Sequence, residues 1–141
     1  MKILIAADGS EYTKKATAYV ASRPEWLQQD SELHVLHVEP PVASPRARAF
    51  LGSDAVNNYY KEESALALEK AESILRDRNV PFKSSYLVGD IAERIHEYAR
   101  QHGIDMIVMG SHGHGTFKNL VMGSVATKVL ATSTVPVLIV R

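Results

Sequence analysis

Short apolar runs alternate with amphipathic stretches along the whole chain. Five segments predict strands, at residues 3–7, 32–38, 82–88, 105–109 and 135–140, and the first is a short apolar run typical of a buried strand. Between them, apolar side chains recur at helical spacing and predict helices at 11–23, at 57–79, from 91 to about 102, and from 123 or 124 onward. Strand and helix therefore alternate and end on a strand, which predicts an α/β fold with a parallel sheet covered by helices on both faces.

Turn and cap signals divide these elements. Pro24 interrupts the first helix, and Asp90 with Glu93 three residues later resembles a capping box. Residues 39–56 contain three prolines and show no clear period, so we predict that they form the longest loop of the chain.

Composition limits the class of protein. The 141 residues carry 16 basic and 16 acidic side chains and no cysteine. The absence of cysteine excludes disulfides, thiolate metal sites and a cysteine nucleophile. The balanced charge argues against nucleic-acid binding, and no apolar run approaches the roughly 20 residues of a membrane span. We expect one cytoplasmic domain over residues 1–141, without membrane insertion.

The acidic residues are unevenly placed. The last one is Asp105, so residues 106–141 contain no carboxylate side chain. Such a stretch suits a ligand anion, although chance and burial explain it equally well.

The glycine-rich loop after the fourth strand suggests how an anion would be held. Gly110, Gly113 and Gly115 follow the strand, and Gly123 and Ser124 open the next helix. Glycine permits positive φ angles and close approach of main-chain N–H groups to a ligand, and a helix N-terminus attracts phosphate. Ser124 would either cap this helix or donate its hydroxyl to a phosphate. The alternative is a flexible connection between strand and helix.

The spacing of these glycines is specific. The chain has neither a P-loop nor the dinucleotide-binding glycine motif after its first strand. Gly110-x2-Gly113-x9-Gly123-Ser124 instead resembles the ATP-binding signature of the universal stress protein family. The resemblance extends over the chain, through residues 3–10, 88–93, 105–113 and 135–140.

This resemblance implies a doubly wound, Rossmann-like sheet of strand order 3-2-1-4-5, a homodimer, and ATP as ligand, with Mg or Mn carried by the nucleotide. AMP or ADP are alternative ligands. By the same resemblance, Ala7 and Asp8 lie near the ribose, Val38 meets the adenine, Met109 and Gly110 flank the nucleoside, and His112, Gly113, Gly123, Ser124 and Val125 surround the phosphates. His114 stands where many members of the family have Arg, and Lys118 would supply charge instead.

Several candidate residues have a second interpretation. Asp8 suits a ligand contact, but Asp-Gly-Ser also suits an Asx turn or a helix cap. His34 and His37 lie three apart on a predicted strand, so they point to opposite faces and cannot share a metal. His112 and His114 lack neighbouring carboxylates, so we expect no metal site built from protein side chains.

These features favour a nucleotide-dependent sensor or regulator of an unidentified partner protein in the stress response. The sequence shows no set of nucleophile, base and orienting group. A slow ATPase, a phosphotransferase, and an interaction module with an AMP-type or vestigial site stay open as alternatives. The apolar last strand, residues 137–140, would be a sheet edge that pairs with its own copy, which supports the homodimer independently.

Overall fold

The chain folds into one parallel sheet with helices on both faces. A computed structural model describes residues 1–115 and 119–141, so Lys118 lies outside the described residues. The elements in chain order are β1 (Lys2–Ala6), α1 (Glu11–Ala21), a 3₁₀ turn (Pro24–Trp26), β2 (Glu32–Glu39), α2 (Pro45–Leu51), α3 (Ser53–Asp77), β3 (Lys83–Val88), α4 (Ile91–Gln101), β4 (Met106–Gly110), α5 (Ser124–Thr132) and β5 (Val137–Val140).

All strand pairings are parallel, and the strand order is β3-β2-β1-β4-β5. The α/β class and the order 3-2-1-4-5 are thereby confirmed. The order reverses at β1, because the chain adds β2 and β3 on one side of this strand and β4 and β5 on the other.

Strands that are apolar on both faces build two cores. Leu4, Leu36 and Ile107 pack beneath α4 and α5, with Ile95 and Val129 as helix partners. Ile3, Val35 and Val108 point to the other face, where they contact apolar side chains of α1 and α3. Burial on both faces explains why the strands read as nearly continuous apolar runs.

The segment 39–56 differs from the predicted loop. It contains α2, and α3 begins at Ser53 rather than at residue 57. The Ser44 side chain accepts a hydrogen bond from the Ala47 N–H (3.3 Å), Pro45 fits the first helical turn, and Gly52 turns the chain at φ 83°. None of the α2 residues is buried, so this helix leaves no apolar period in the sequence.

The remaining boundaries shift by one to two residues. β5 begins at Val137 rather than at residue 135, and the Pro136 carbonyl accepts the Ile107 N–H (2.9 Å). The Asp90 cap is confirmed, since its carboxylate accepts the Glu93 N–H at 3.1 Å. Within the described residues, no helix has both the length and the apolar composition of a membrane span.

The long helix α3 allows a matched test of the core. Leu75 is fully buried, whereas Leu66 on the same helix is 62% exposed. Leu75→Ala should lower the free energy of unfolding by about 2–5 kcal/mol, because it leaves a cavity under the sheet. Leu66→Ala should change it by less than ~0.5 kcal/mol. Urea unfolding of both variants measures the difference, and equal losses would contradict this placement of α3.

Candidate functional site

A cavity of about 470 Å³ opens at the carboxyl ends of β1 and β4, where the strand order reverses. Its size lies in the range usual for small-molecule sites, and open parallel sheets hold ligands at this position. All ten residues selected from the sequence line it: Ala7, Asp8, Val38, Met109, Gly110, His112, Gly113, Gly123, Ser124 and Val125.

One end of the cavity is apolar. Val38 and Met109 form its floor, and Ile91 and Ile95 of α4 form a wall that the sequence analysis did not assign to the site. Ile91 and Ile95 belong to the apolar stripe of α4, which reads as core packing. Only the tertiary position of the first turn of α4 shows that part of this stripe faces the cavity.

The main chain of Val38 also faces the cavity. β1 pairs with β2 only as far as Ala6 and Leu36, and the last ladder bond runs from the Ala7 N–H to the Leu36 carbonyl (2.8 Å). Main-chain groups of alternate residues point to opposite neighbours, so those of Val38 point toward β1, as those of Leu36 do. β1 ends at Ala6, and among the described residues the N–H and carbonyl of Val38 have no strand partner beyond this level.

The two carboxylate oxygens of Asp8 differ in their surroundings. Oδ1 accepts hydrogen bonds from the Ser10 N–H (2.9 Å) and from the Thr13 hydroxyl (2.7 Å), while the Thr13 hydroxyl accepts the Asp8 N–H (3.0 Å). Oδ2 points toward Gly113, where an added Cβ would lie 2.7 Å away. The Asx turn is therefore present on one oxygen, and the other oxygen faces the cavity.

At two of the signature positions, the lack of a side chain lets another part of the chain come close to the glycine main chain. A Cβ on Gly110 would lie 2.4 Å from the Tyr12 Cβ, and one on Gly123 would lie 3.3 Å from the His112 Cα. Positive φ angles occur at other glycines, Gly9, Gly52, Gly89 and Gly103. Positive φ, which glycine would permit at Gly110 and Gly113, does not occur there, and the close approach of their main-chain N–H groups to a ligand stays a prediction.

Two histidines tie the loop after β4 together. The Nε2–H of His112 donates to the Leu120 carbonyl (2.7 Å), and Nδ1 accepts from the Ser111 hydroxyl (2.8 Å). The His114 Nε2–H donates to the Asp8 carbonyl (2.6 Å), which links this loop to the loop after β1. Both ring nitrogens of His112 are thus used in hydrogen bonds to neighbouring residues of the chain.

The N-terminus of α5 forms the other end of the cavity. Gly123 is the N-cap residue and Ser124 is the first residue of the helix, and no side chain within residues 1–115 and 119–141 caps it. The Gly123 N–H donates to the Ser111 carbonyl (2.7 Å), which draws the loop across the strand end. The capping role left open for Ser124 is therefore not observed, and the first N–H groups of α5 face a ligand space.

Charge around the cavity is sparse. Asp8 is the only carboxylate among the described lining residues. A group of three or more potential metal-ligating side chains is not found within the described ranges 1–115 and 119–141. The prediction that His34 and His37 point to opposite faces is confirmed: His34 contacts Tyr98 of α4, whereas His37 reaches the Ala7 carbonyl on the other face of the sheet.

Asp90 links the two helices that border the cavity. Its pKa lies below the ordinary value, first because its carboxylate accepts the Glu93 N–H and next because Lys128 of α5 lies 3.1 Å away. A depressed pKa in the folded state contributes stability above the ordinary pKa, and this stability is lost as pH falls through the depressed value. The link between α4 and α5 therefore weakens in acid.

The chain is similar to known proteins over its whole length. A family model described as "Universal stress protein family" matches residues 1–141. The universal stress protein YxiE of Bacillus subtilis is 33% identical over 147 residues, covering 99% of this chain and 98% of that protein.

Solved structures agree with the fold. Protein MJ0577 of Methanocaldococcus jannaschii matches with a TM-score of 0.76 and 31% identity, covering 99% of this chain and 94% of that one. A universal stress protein of Archaeoglobus fulgidus in complex with dAMP matches with a TM-score of 0.69 and 21% identity, over 100% and 98%. Other matching universal stress proteins were solved with cAMP or AMP.

The hydrogen bonds between Thr13 and Asp8 can be tested with two valine substitutions, at Thr13 and at Thr17. Thr13 and Thr17 are both buried in α1, but only the Thr13 hydroxyl bonds Asp8, whereas that of Thr17 donates to the Thr13 carbonyl (2.8 Å). Thr13→Val should cost roughly 1–3 kcal/mol of unfolding free energy, because it leaves the Asp8 N–H without its acceptor and removes one of the two hydrogen bonds to Oδ1. Thr17→Val should cost less, because the carbonyl keeps its helical bond. Urea unfolding of both variants measures the two losses of unfolding free energy. A larger loss from Thr17→Val would contradict the stabilising role of the hydrogen bonds between Thr13 and Asp8.

Proposed function

Because the chain belongs to the universal stress protein family, we propose that it binds adenine nucleotides, ATP among them, and acts in the cytoplasm as a nucleotide-dependent sensor or regulator of the stress response. One observation carries this proposal. A single cavity joins an apolar slot with free main-chain groups, one fixed carboxylate and an uncapped helix N-terminus.

Each part of the cavity matches one part of a nucleotide. The Val38 N–H can donate to a ring nitrogen of adenine while its carbonyl accepts from the exocyclic amine, and Met109, Ile91 and Ile95 supply apolar surface for the base. Oδ2 of Asp8 can accept from ribose hydroxyls. With the base and the ribose placed in this way, the phosphates would lie toward Gly113 and the start of α5, at the other end of the cavity.

The phosphates would be held mainly by main-chain N–H groups. The first N–H groups of a helix are unpaired and lie at the positive end of its dipole, which stabilises bound phosphate. Ser124 can add its hydroxyl, since it does not cap the helix. A divalent cation, Mg or Mn, would arrive with the nucleotide, because the described residues offer no cluster of metal ligands.

The arrangement favours binding over rapid catalysis. Asp8 is the only carboxylate among the described lining residues, and its Oδ1 already accepts two hydrogen bonds. If Oδ2 holds the ribose, Asp8 does not activate water beside a γ-phosphate. We therefore propose slow turnover at most, with the bound state as the signal.

The signal would pass through the loop after β4. Leu120 lines the cavity and is 52% exposed, and the adjacent Val121 is 72% exposed. A nucleotide that contacts this loop would alter an apolar surface that a regulated partner protein can read.

Gly113→Ala tests the binding site. Its methyl group would lie 2.7 Å from Oδ2 of Asp8, so ATP binding should weaken by at least about tenfold while the protein stays folded. Gly52→Ala is the control for backbone strain alone: φ at Gly52 is 83°, so an alanine there costs stability, but its Cβ meets nothing within 4 Å and Gly52 lies outside the cavity, so ATP affinity should stay unchanged. Isothermal titration with ATP, ADP and AMP, together with mass spectrometry of nucleotide released from freshly purified protein, measures both affinity and the natural ligand.

Two results would count against this function. Rapid multiple-turnover ADP production by the pure protein would favour an ATPase or a phosphotransferase instead. Failure of all three nucleotides to bind, with partner binding intact, would favour an interaction module with a vestigial site.

We also propose that the chain forms a homodimer through β5. This strand is an edge of the sheet, and its residues Val137–Val140 are all apolar. The Val140 carbonyl accepts the Ser111 N–H from the β4 side (2.8 Å), so the main-chain groups of Val137 and Ile139 point outward. A second copy could pair with them in antiparallel fashion across a two-fold axis.

Ile139→Pro tests this pairing, because it removes an outward N–H without removing a ladder bond to β4. We expect a dimer for the wild type and for the control Ile139→Val, which keeps the N–H, and a monomer for Ile139→Pro. Sedimentation velocity at micromolar concentration measures the state, and a monomeric wild type would refute the dimer.

A further inference from the structure

His37 occupies an unusual position at the end of β2. Its side chain is 8% exposed and lies on the face of the sheet opposite the cavity, with α1 and α3. Nδ1 lies 2.7 Å from the Ala7 carbonyl oxygen, and Nε2 lies 2.7 Å from Oε2 of Glu39. A carbonyl oxygen can only accept a hydrogen bond, so Nδ1 carries a proton and donates it to Ala7.

This bond stands where the next bond of the β1–β2 ladder would form. After the bond from the Ala7 N–H to the Leu36 carbonyl, a continuing parallel ladder would join the Val38 N–H to the Ala7 carbonyl. That bond is not present, and the Ala7 carbonyl accepts from the imidazole of His37 instead. The imidazole thus replaces a main-chain donor at the last position before the strands separate.

We propose that His37 is a positioning residue for the nucleobase: by holding the Ala7 carbonyl from the far face of the sheet, it keeps the Val38 N–H unpaired and directed into the cavity. The assignment of the base as the occupant rests on the proposed function. The lack of a partner for the Val38 N–H among the described residues does not, because it follows from the hydrogen bonds within the chain.

Burial makes this replacement consequential. Ala7 is 5% exposed and Val38 is 4% exposed, so water reaches their main-chain groups only by way of the cavity. A buried carbonyl deprived of its donor favours any other donor within reach. For Ala7 that donor is the Val38 N–H, so loss of the imidazole should extend the ladder by one bond and consume the group that the base needs.

Glu39 keeps the imidazole in place. Its carboxylate contacts Nε2, and its own main chain is fixed because the Gly89 N–H donates to its carbonyl (3.0 Å). The ring is therefore held between the loop after β1 and the end of β2, and it cannot turn away from Ala7 without losing a second hydrogen bond.

Hydrogen exchange at single amides tests the positioning role without any ligand. In the ligand-free wild type, the Val38 amide should exchange faster than the amides of His37 and Glu39, whose main chains face β3. In His37→Leu the Val38 amide should become at least about tenfold more protected, because it takes the Ala7 carbonyl. His37→Asn should keep the wild-type pattern, since the asparagine Nδ2 follows Cγ as Nδ1 does and can donate to Ala7.

Nucleotide affinity gives the second measurement. His37→Leu should weaken ATP binding by about tenfold, and His37→Asn should restore most of the loss. His34→Leu is the matched control, because it removes another buried histidine of β2 that contacts Tyr98 and Glu32 rather than Ala7. Its ATP affinity should stay within about twofold of the wild type.

The outcomes separate the two proposals. A Val38 amide that is already protected in the wild type, or one whose exchange is unchanged in a folded His37→Leu, overturns the role of His37. Exchange as expected, with equal ATP affinity in all variants, overturns the link to the nucleobase. Exchange as expected with no nucleotide bound by any variant supports the hydrogen-bond replacement and overturns the proposed function. If His37→Leu does not fold, faster exchange of Val38 than of its neighbours in the wild type and in His37→Asn supports the proposal, and slower exchange overturns it.

Discussion

The reversal of strand order at β1 is the constraint on which the cavity depends. The chain leaves β1 toward α1 on one face of the sheet and leaves β4 toward α5 on the other face. Two adjacent strands whose continuations separate in this way cannot keep pairing beyond their ends, so main-chain groups that would otherwise be bonded face an open space. The opening is therefore a product of topology, and side chains, among them those of α4, of the loop after β4 and of His37, determine which groups it presents.

Two glycines allow close packing of the elements that border the cavity. Gly110 lets the end of β4 approach Tyr12, and Gly123 lets the start of α5 approach the main chain of His112. A side chain at either position would separate elements that meet at the cavity. The glycines therefore set the size of the site, and the chain can hold a local anion site while its side-chain charges balance in total.

The sequence predicted much of this arrangement because the relevant signals are local. Apolar and alternating segments located the five strands, while the strand order and the site residues, which all line one cavity, came from the family resemblance that the glycine spacing indicated. Helix α2 was missed because none of its residues is buried, so it leaves no period to read. The cavity wall at Ile91 and Ile95 and the contact of His37 with Ala7 were missed because they depend on tertiary contacts between segments distant in sequence.

The two unlike oxygens of Asp8 have an entropic consequence. A free carboxylate samples several rotamers, and a ligand that orders it loses part of its binding free energy to that ordering. Here Ser10 and Thr13 hold Oδ1 from two directions, so the rotation of the side chain is already restricted in the folded chain. The direction of Oδ2 is set during folding, before any ligand arrives, and a ligand that meets it benefits from order that the fold has already established.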